Sequence, residues 1–330
     1  MLFNILKIII ISAIIYLGIA LGLIVSQRPG PVPQAKGPDF SDLLADSFEA
    51  PVSDAAFTRD SYTTPDGVTH PVTVVAQGPV RDKPLVVMVH GSGWHGQQFD
   101  RLAWALRDVA ETRAVTLRGH GADPVRRGDV DYIGQFEDDL AHAIGDAGGR
   151  KVVMLGHSSG GGLVVRFAGG RRGDMIDAAI LLAPFLRHDA PTTRANAGGW
   201  AHPLTRRIIG LSMLNMVGIH ALDHLTAIRF AMPRAVLNGP LGHTATTRYS
   251  WRLNLSYAPR RDYLADVAAL PPFVLIAGAQ DESFVAERYA PLMSGATDKG
   301  RYHVLPGVGH LDVVDAPRTE ALIREFLGAL

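Results

Sequence analysis

Cysteine is absent from the 330-residue chain, which excludes a disulfide framework, a thiolate metal site and a cysteine nucleophile. Charge is scarce: Asp, Glu, Lys and Arg make up 19% of the residues, against a usual ~25%. Neither sign dominates, with 32 basic and 32 acidic side chains and a formal net charge of 0, which argues against bulk nucleic-acid binding. The 35 glycines follow no three-residue period, so a collagen-like chain is excluded. No repeat recurs at a spacing of about 20–50 residues. What the chain has is apolar mass: 47% of its residues are hydrophobic, which excludes a disordered polymer. The length suits one large domain or two ordinary ones.

The apolar excess is uneven. Ile8 to Val25 is an uncharged run of 18 residues with Ser12 as its one clearly polar member. As a helix it covers about 27 Å, close to the ~30 Å hydrocarbon core of a bilayer. A cleaved signal peptide would take Lys7 as its charged start, but its apolar region usually runs ~7–15 residues. The one small-x-small site, Gly18–Ala20, also lies inside the run. Residues 1–28 are therefore expected to be an uncleaved, single-pass membrane anchor, with the bilayer as partner. The amino terminus and Lys7 on one side balance Arg28 and Lys36 on the other. The adopted orientation is amino terminus in, body on the non-cytoplasmic side. Residues 29–57, with Pro29, Pro31, Pro33 and Pro38, are expected to be an extended linker that holds the body off the bilayer. A short acidic helix-like stretch follows at Ser41–Glu49.

From Thr58 the pattern settles. Thr58–Thr64 and Val68–Ala76 flank Pro65-Asp66-Gly67 and predict a hairpin. Leu85–His90, Lys151–Leu155, Ile176–Ala183 and Phe273–Ala277 are continuous apolar runs, the pattern of strands buried on both faces. Arg113–Leu117 and Arg301–Leu305 are further strands. Helices are predicted at Gln97–Ala110, Tyr132–Ile144, after the Gly-rich turn at 156–162, and at Ala316–Leu327 with Gly328 as a stop. Strands alternating with helices imply a mostly parallel sheet covered on both faces. Residues 58–184 and 263–330 are thus read as one α/β core. Between them, 185–262 shows no convincing strand and has helical spacing at Ile208–Met216, so it is read as a helical cap. That segment holds ten Arg, no Lys and three Asp, a net charge of +7.

Gly156-His157-Ser158-Ser159-Gly160 fits G-x-S-x-G between a predicted strand and a predicted helix. That context puts a serine hydroxyl on a cramped turn above a sheet, with glycines where the backbone comes close. Ser158 is the expected nucleophile, Ser159 being one residue off register. A serine needs a base, and the base needs an orienting carboxylate. Asp281, with Glu282 as runner-up, follows one late strand. His310, in Gly307-Val308-Gly309-His310, follows the last. An oxyanion needs preorganised N–H donors, and the loop His90-Gly91-Ser92-Gly93-Trp94 stands at a strand end. The amides of Ser92 and Ser159 are the expected donors.

With these motifs in place, the chain resembles an α/β-hydrolase over roughly residues 58–328. It is most similar to the branch of monoacylglycerol lipases, lysophospholipases and serine aminopeptidases. HGSGWHGQQF at 90–99, LRGHG at 117–121, GHSSGG at 156–161, GAQDES at 278–283 and GVGH at 307–310 carry the likeness. The resemblance implies the residue after the first His-Gly and the residue after the nucleophile as oxyanion donors, again Ser92 and Ser159. The branch usually has an acidic residue just before the Arg-Gly-His-Gly run's leading residue, and here Thr116 stands there. The cap is the family's most variable part, so no substrate carries over.

Other residues read more blandly. His220 and His224 are four apart, but no third ligand accompanies them and no metal is expected. His120 and His157 read as turn and packing residues. Trp94 could wall an acyl site or fill core, and Met213 and Met216 could pack inside or face lipid. The expected protein is a membrane-anchored serine hydrolase of carboxylic esters, lipid-like ones such as a monoacylglycerol or lysophospholipid. It needs no cofactor, no metal, no nucleic acid and no obligate protein partner. Small-ester, thioester or peptide cleavage and acyl transfer use the same machinery, and a non-enzymatic binding protein on a hydrolase fold is the remaining reading.

Overall fold

A computed structural model describes residues 1–34, 37–40 and 56–330. Its strands are β1 (Phe57–Thr63), β2 (Thr69–Val75), β3 (Leu85–Val89), β4 (Glu111–Val115), β5 (Val152–His157), β6 (Ala178–Leu182), β7 (Ala201–Pro203), β8 (Thr226–Phe230), β9 (Arg248–Ser250), β10 (Phe273–Gly278) and β11 (Gly300–Leu305). Its α-helices are α1 (Leu2–Ser26), α2 (Asp100–Ala105), α3 (Gln135–Ile144), α4 (Ser159–Ala168), α5 (Thr205–Met216), α6 (Arg234–Asn238), α7 (Trp251–Tyr257), α8 (Tyr263–Ala268), α9 (Tyr289–Met293) and α10 (Pro317–Gly328).

Eight strands form one sheet in the order β1-β2-β4-β3-β5-β6-β10-β11. The β1–β2 and β2–β4 pairs are antiparallel. All the others are parallel. Every residue of β3, β5, β6 and β10 is buried, as their unbroken apolar runs require of strands covered on both faces. Chain order reverses around β3, which lies between β4 and β5. A crevice therefore opens at the carboxyl ends of β3 and β5, the usual place for a site in such sheets.

Element positions follow the sequence reading with local differences. The stretch from Gln97 is a 3-10 turn, Gly96–Phe99, followed by the short α2, rather than one long helix. Gly328 is the last residue of α10 and does not stop it. The 185–262 segment is not free of strands: β7, β8 and β9 make a separate antiparallel sheet beside its helices. These strands have three, five and three residues. They are too short to show an alternating pattern, and Arg229 interrupts the middle one.

The proline-rich stretch does not stand away from the body. Arg229 donates to the Pro31 carbonyl at 2.7 Å, the Asp39 N–H donates to Glu282 at 3.1 Å, and Phe40 is buried with its ring 5.7 Å from that of Trp200. The acidic stretch Ser41–Glu49 lies outside the described residues, as does Lys36. Among the described residues α1 is the one helix long and apolar enough to cross a membrane, with a mean hydropathy of 2.9 in its best window. Its second half is packed against α5.

Candidate active site

The strand ends deliver the predicted residues to one place. β5 runs into Ser158, which takes a φ of 54° before α4 begins. A side chain in that region is sterically strained, and such strain persists only where the surroundings enforce it. They do: a Cβ on Gly156 would lie 2.4 Å from the Gly160 carbonyl oxygen, and one on Gly160 would lie 2.1 Å from that of Val89. The two glycines of the motif are thus required by close backbone approach. The Ser158 N–H is tied to the Leu182 carbonyl at 2.9 Å, and its own carbonyl accepts from Phe185 at 2.8 Å.

Ser158, His310 and Asp281 form one hydrogen-bonded line. The Ser158 hydroxyl lies 3.0 Å from His310 Nε2, and His310 Nδ1 lies 2.8 Å from Asp281 Oδ2. The other carboxylate oxygen accepts the N–H groups of Ser283 and Phe284, each at 2.7 Å. Burial alone would raise the Asp281 carboxyl. The His310 charge, its hydrogen bond and the two backbone donors outweigh burial and hold the carboxyl below its ordinary value. Asp281 therefore stays ionised and fixes the imidazole with Nδ1 protonated and Nε2 free to accept.

Glu282, the alternative acid, meets the backbone of His310 and not its ring. It accepts the His310 N–H at 2.8 Å and so fixes the backbone that carries the imidazole. His157 does the same from the other side, donating from Nε2 to the His310 carbonyl at 2.9 Å. Gln98 donates to His157 Nδ1 at 2.9 Å while its oxygen accepts from Gly91 at 2.9 Å. Burial keeps His157 neutral, its pKa pushed down to about 3. His157 and Gln98 thus link His310 to the loop after β3, a role the sequence motif did not reveal.

That loop, residues 90–94, is held chiefly by the 185–262 segment. Trp200 Nε1 donates to Ser92 Oγ at 2.8 Å. The Tyr249 hydroxyl accepts from Gly93 N–H at 2.7 Å, and the Thr246 N–H donates to the Gly93 carbonyl at 2.9 Å. Tyr257 donates its hydroxyl proton to the His90 carbonyl. His120 completes the set: Nδ1 donates to the Arg118 carbonyl at 2.9 Å, so Nε2 accepts the Tyr249 hydroxyl proton at 2.7 Å. Burial holds His120 neutral, at about 4. Thr116, where the resemblance leads one to expect an acid, accepts the Gly96 N–H at 3.1 Å. Among the described residues, the N–H groups of Ser92 and Ser159 have no intramolecular acceptor.

Two apolar hollows meet at Ser158 and Ser92. One, a cavity of about 50 Å³, is walled by Phe40, Trp94, Trp200, Met232 and Val314. The other, about 70 Å³, is walled by Phe185, Trp200, Ile228, Phe230 and Phe284. Trp200 stands between them. Trp94 is thus a wall of the first hollow, while Pro38 and Phe40, read from the sequence as linker, also line it. His220 and His224 share no helix face, because 219–225 is a series of turns in which His220 bonds Asn215 at 2.7 Å.

Comparison with known proteins agrees with this architecture. The sequence model of a family described as the alpha/beta hydrolase family matches residues 86–322. An uncharacterized protein of Mycobacterium tuberculosis is 22% identical over 295 residues, covering 84% of this chain and 83% of its own. A soluble variant of monoglyceride lipase from Saccharomyces cerevisiae superposes with a TM-score of 0.65 at 15% identity, covering 86% of this chain and 99% of its own. A structure described as a membrane phospholipase A superposes with a TM-score of 0.56 at 15% identity, covering 100% of this chain and 99% of its own.

Proposed function

The chain belongs to the alpha/beta hydrolase family, and from that premise we propose a serine hydrolase of carboxylic esters, lipid-like ones in particular, held at a membrane by α1. The observation that carries the chemistry is the Ser158–His310–Asp281 line, at 3.0 and 2.8 Å, beside two unpartnered amides. Ser158 Oγ attacks the ester carbonyl as His310 Nε2 takes its proton. Asp281 holds the imidazole and stabilises its charged form. The amides of Ser92 and Ser159 stabilise the oxyanion, where each such donor contributes roughly 10²–10³ in rate. His310 then protonates the leaving alcohol, activates water, and the acyl-enzyme hydrolyses.

The paired hollows support the ester class. An ester has two arms, and each hollow offers one arm an apolar wall, with Trp200 keeping them apart. The 185–262 segment, which walls both, acts as the cap. The fold likeness to a monoglyceride lipase and a membrane phospholipase A is consistent with lipid esters. The test is hydrolysis of p-nitrophenyl esters of graded chain length by the full chain in detergent or vesicles, beside Ser158→Ala. The expected result is a long-chain optimum and loss of at least ~10³ of activity in the variant. Residual turnover close to the parent, or retained labelling by a fluorophosphonate, would refute the mechanism. A short-chain optimum would refute the lipid-like substrate alone.

A further inference from the structure

The pairing of α1 with α5 fixes more than an anchor point. The two helices run antiparallel, as the order of their contacts shows. Arg206 donates to the Ser26 carbonyl at 3.0 Å and Arg207 to that of Ile24 at 3.3 Å. A Cβ on Gly210 would lie 2.5 Å from the Ala20 carbonyl oxygen. One turn further, the Tyr16 hydroxyl donates to the Met213 carbonyl at 2.9 Å. Ala20 and Ile24 are buried with Leu211, Leu214, Ala227 and Trp251 in a small core separate from the main one.

Length then decides where α5 sits. The part of α1 not covered by α5, Leu2–Ile15, provides about 21 Å, short of the ~30 Å hydrocarbon core. If the hydrocarbon begins at Leu2, it extends to about Leu21. If it begins after Lys7, it extends past Val25. Either way the level of Tyr16 to Ala20 lies inside it, and so do the α5 residues packed there, Gly210 to Met213. Met216 and the turn after it lie deeper still.

The residues at that depth suit lipid. Met216 is 82% exposed, Val217 53% and Ile219 36%, with Ile209 47% exposed higher on the same helix. Three polar side chains of the turn pair with one another, Asn215 donating to Asp223 at 2.6 Å and His220 bonding Asn215 at 2.7 Å, while His224 is exposed. Internal pairing of this kind lowers the cost of placing polar groups in an apolar phase. At the opposite end of α5, Arg28 and Arg206 are exposed, at the level of the headgroups. An apolar tip below a basic rim is the pattern of an element seated in a leaflet.

We propose that the distal half of α5 and the Val217–Ile219 turn are embedded in the hydrocarbon core beside α1, making the cap itself a membrane element that docks on phospholipid hydrocarbon. The proposal rests on α1 being the span. β8, which follows the turn, contributes Ala227 to the α1–α5 core and Ile228 and Phe230 to a hollow over Ser158. The wall of the site is therefore held at the bilayer surface.

The Cys-free chain allows single-site spin labelling without background. Ile14→Cys, Met216→Cys and Ile219→Cys, each at an exposed position, would be labelled in the full chain and reconstituted in vesicles of phosphatidylcholine with a minority of phosphatidylglycerol. The expected result at all three is loss of collision with a water-soluble nickel chelate and gain of collision with oxygen. Arg234→Cys, on the body, should remain open to the chelate. Labels at 216 and 219 that meet the chelate freely while 14 does not would overturn the proposal and leave the span intact. Free access at 14 as well would overturn both.

Discussion

The hydroxyl of Tyr249 sits 2.7 Å from the Gly93 N–H and 2.7 Å from His120 Nε2, accepting from the first and donating to the second. One side chain of the 185–262 segment thereby sets the conformation of the loop that carries Ser92 beside Ser158. With Tyr257 on the His90 carbonyl and Trp200 on Ser92 Oγ, the 185–262 segment clamps the loop along its length.

Tyr249→Phe removes an acceptor and a donor in a buried place, where an unsatisfied group costs ~1–3 kcal/mol. We expect kcat to fall by roughly tenfold to a hundredfold with KM nearly unchanged. Steady-state kinetics beside thermal unfolding decides it. An unaltered kcat with a lowered Tm would make the hydroxyl purely structural.

Asp281→Asn keeps an oxygen for the Ser283 and Phe284 amides but turns an N–H toward His310 Nδ1. The imidazole then adopts the wrong tautomer. The expected loss is on the order of 10⁴ in kcat with the fold retained. Activity within tenfold of the parent would show that Asp281 does not orient the base.

Phe40 forms part of the first hollow and touches the Trp200 ring. Phe40→Ala should lower kcat/KM for long-chain esters about tenfold and leave the shortest esters almost unaffected, since only an extended arm reaches it. Equal losses across the chain-length series would mean that the ring acts on the fold and not on the substrate.

Buried imidazoles give the stability a pH dependence. Burial lowers His90 well below its ordinary value, His95 and His157 to about 3 and His120 to about 4. In the unfolded chain these groups take up protons as pH falls through ~6.5. In the folded chain they do not until about pH 4. The unfolded state then binds more protons, so stability falls with decreasing pH between ~6.5 and ~4. Calorimetric unfolding near pH 5.5 in buffers of different ionisation enthalpy should show uptake on the order of three protons. Absence of uptake would contradict neutral burial.

That Ser158, His310 and Asp281 come together in one candidate site was legible because sterics and order leave few choices. G-x-S-x-G between two regular elements, an acid after a late strand and a histidine after the last one needed only the strand runs to be read. The supporting residues were not legible, because their roles depend on long-range contact. Glu282 differs from Asp281 by one position, yet one serves the His310 backbone and the other its ring. Phe40 sits in a proline-rich stretch with no local reason to fold back. The short strands β7 and β9 carry no pattern, and His220 and His224 fall on turns that simple i, i+4 spacing reads as helix. The apolar run of α1 is hydrophobic all round, so composition could not show which face α5 covers; Gly210 was the one local hint of close approach.

The hydrogen bond from Tyr16 to Met213 joins residues 197 positions apart. If α1 is the span proposed above, during synthesis it reaches the bilayer long before its partner emerges from the ribosome. It waits there as half of a small core, with Ala20 and Ile24 facing lipid until Leu211 and Leu214 arrive. Contacts so distant along the chain form late. Because β8 follows the late-arriving helix and walls the hollow over Ser158, Ser158 gains this cover only after α5 has docked on α1. Until α1 and α5 meet, Ala227 lacks half of its small core, so the order of assembly ties the finished cover over Ser158 to the docking of the first helix.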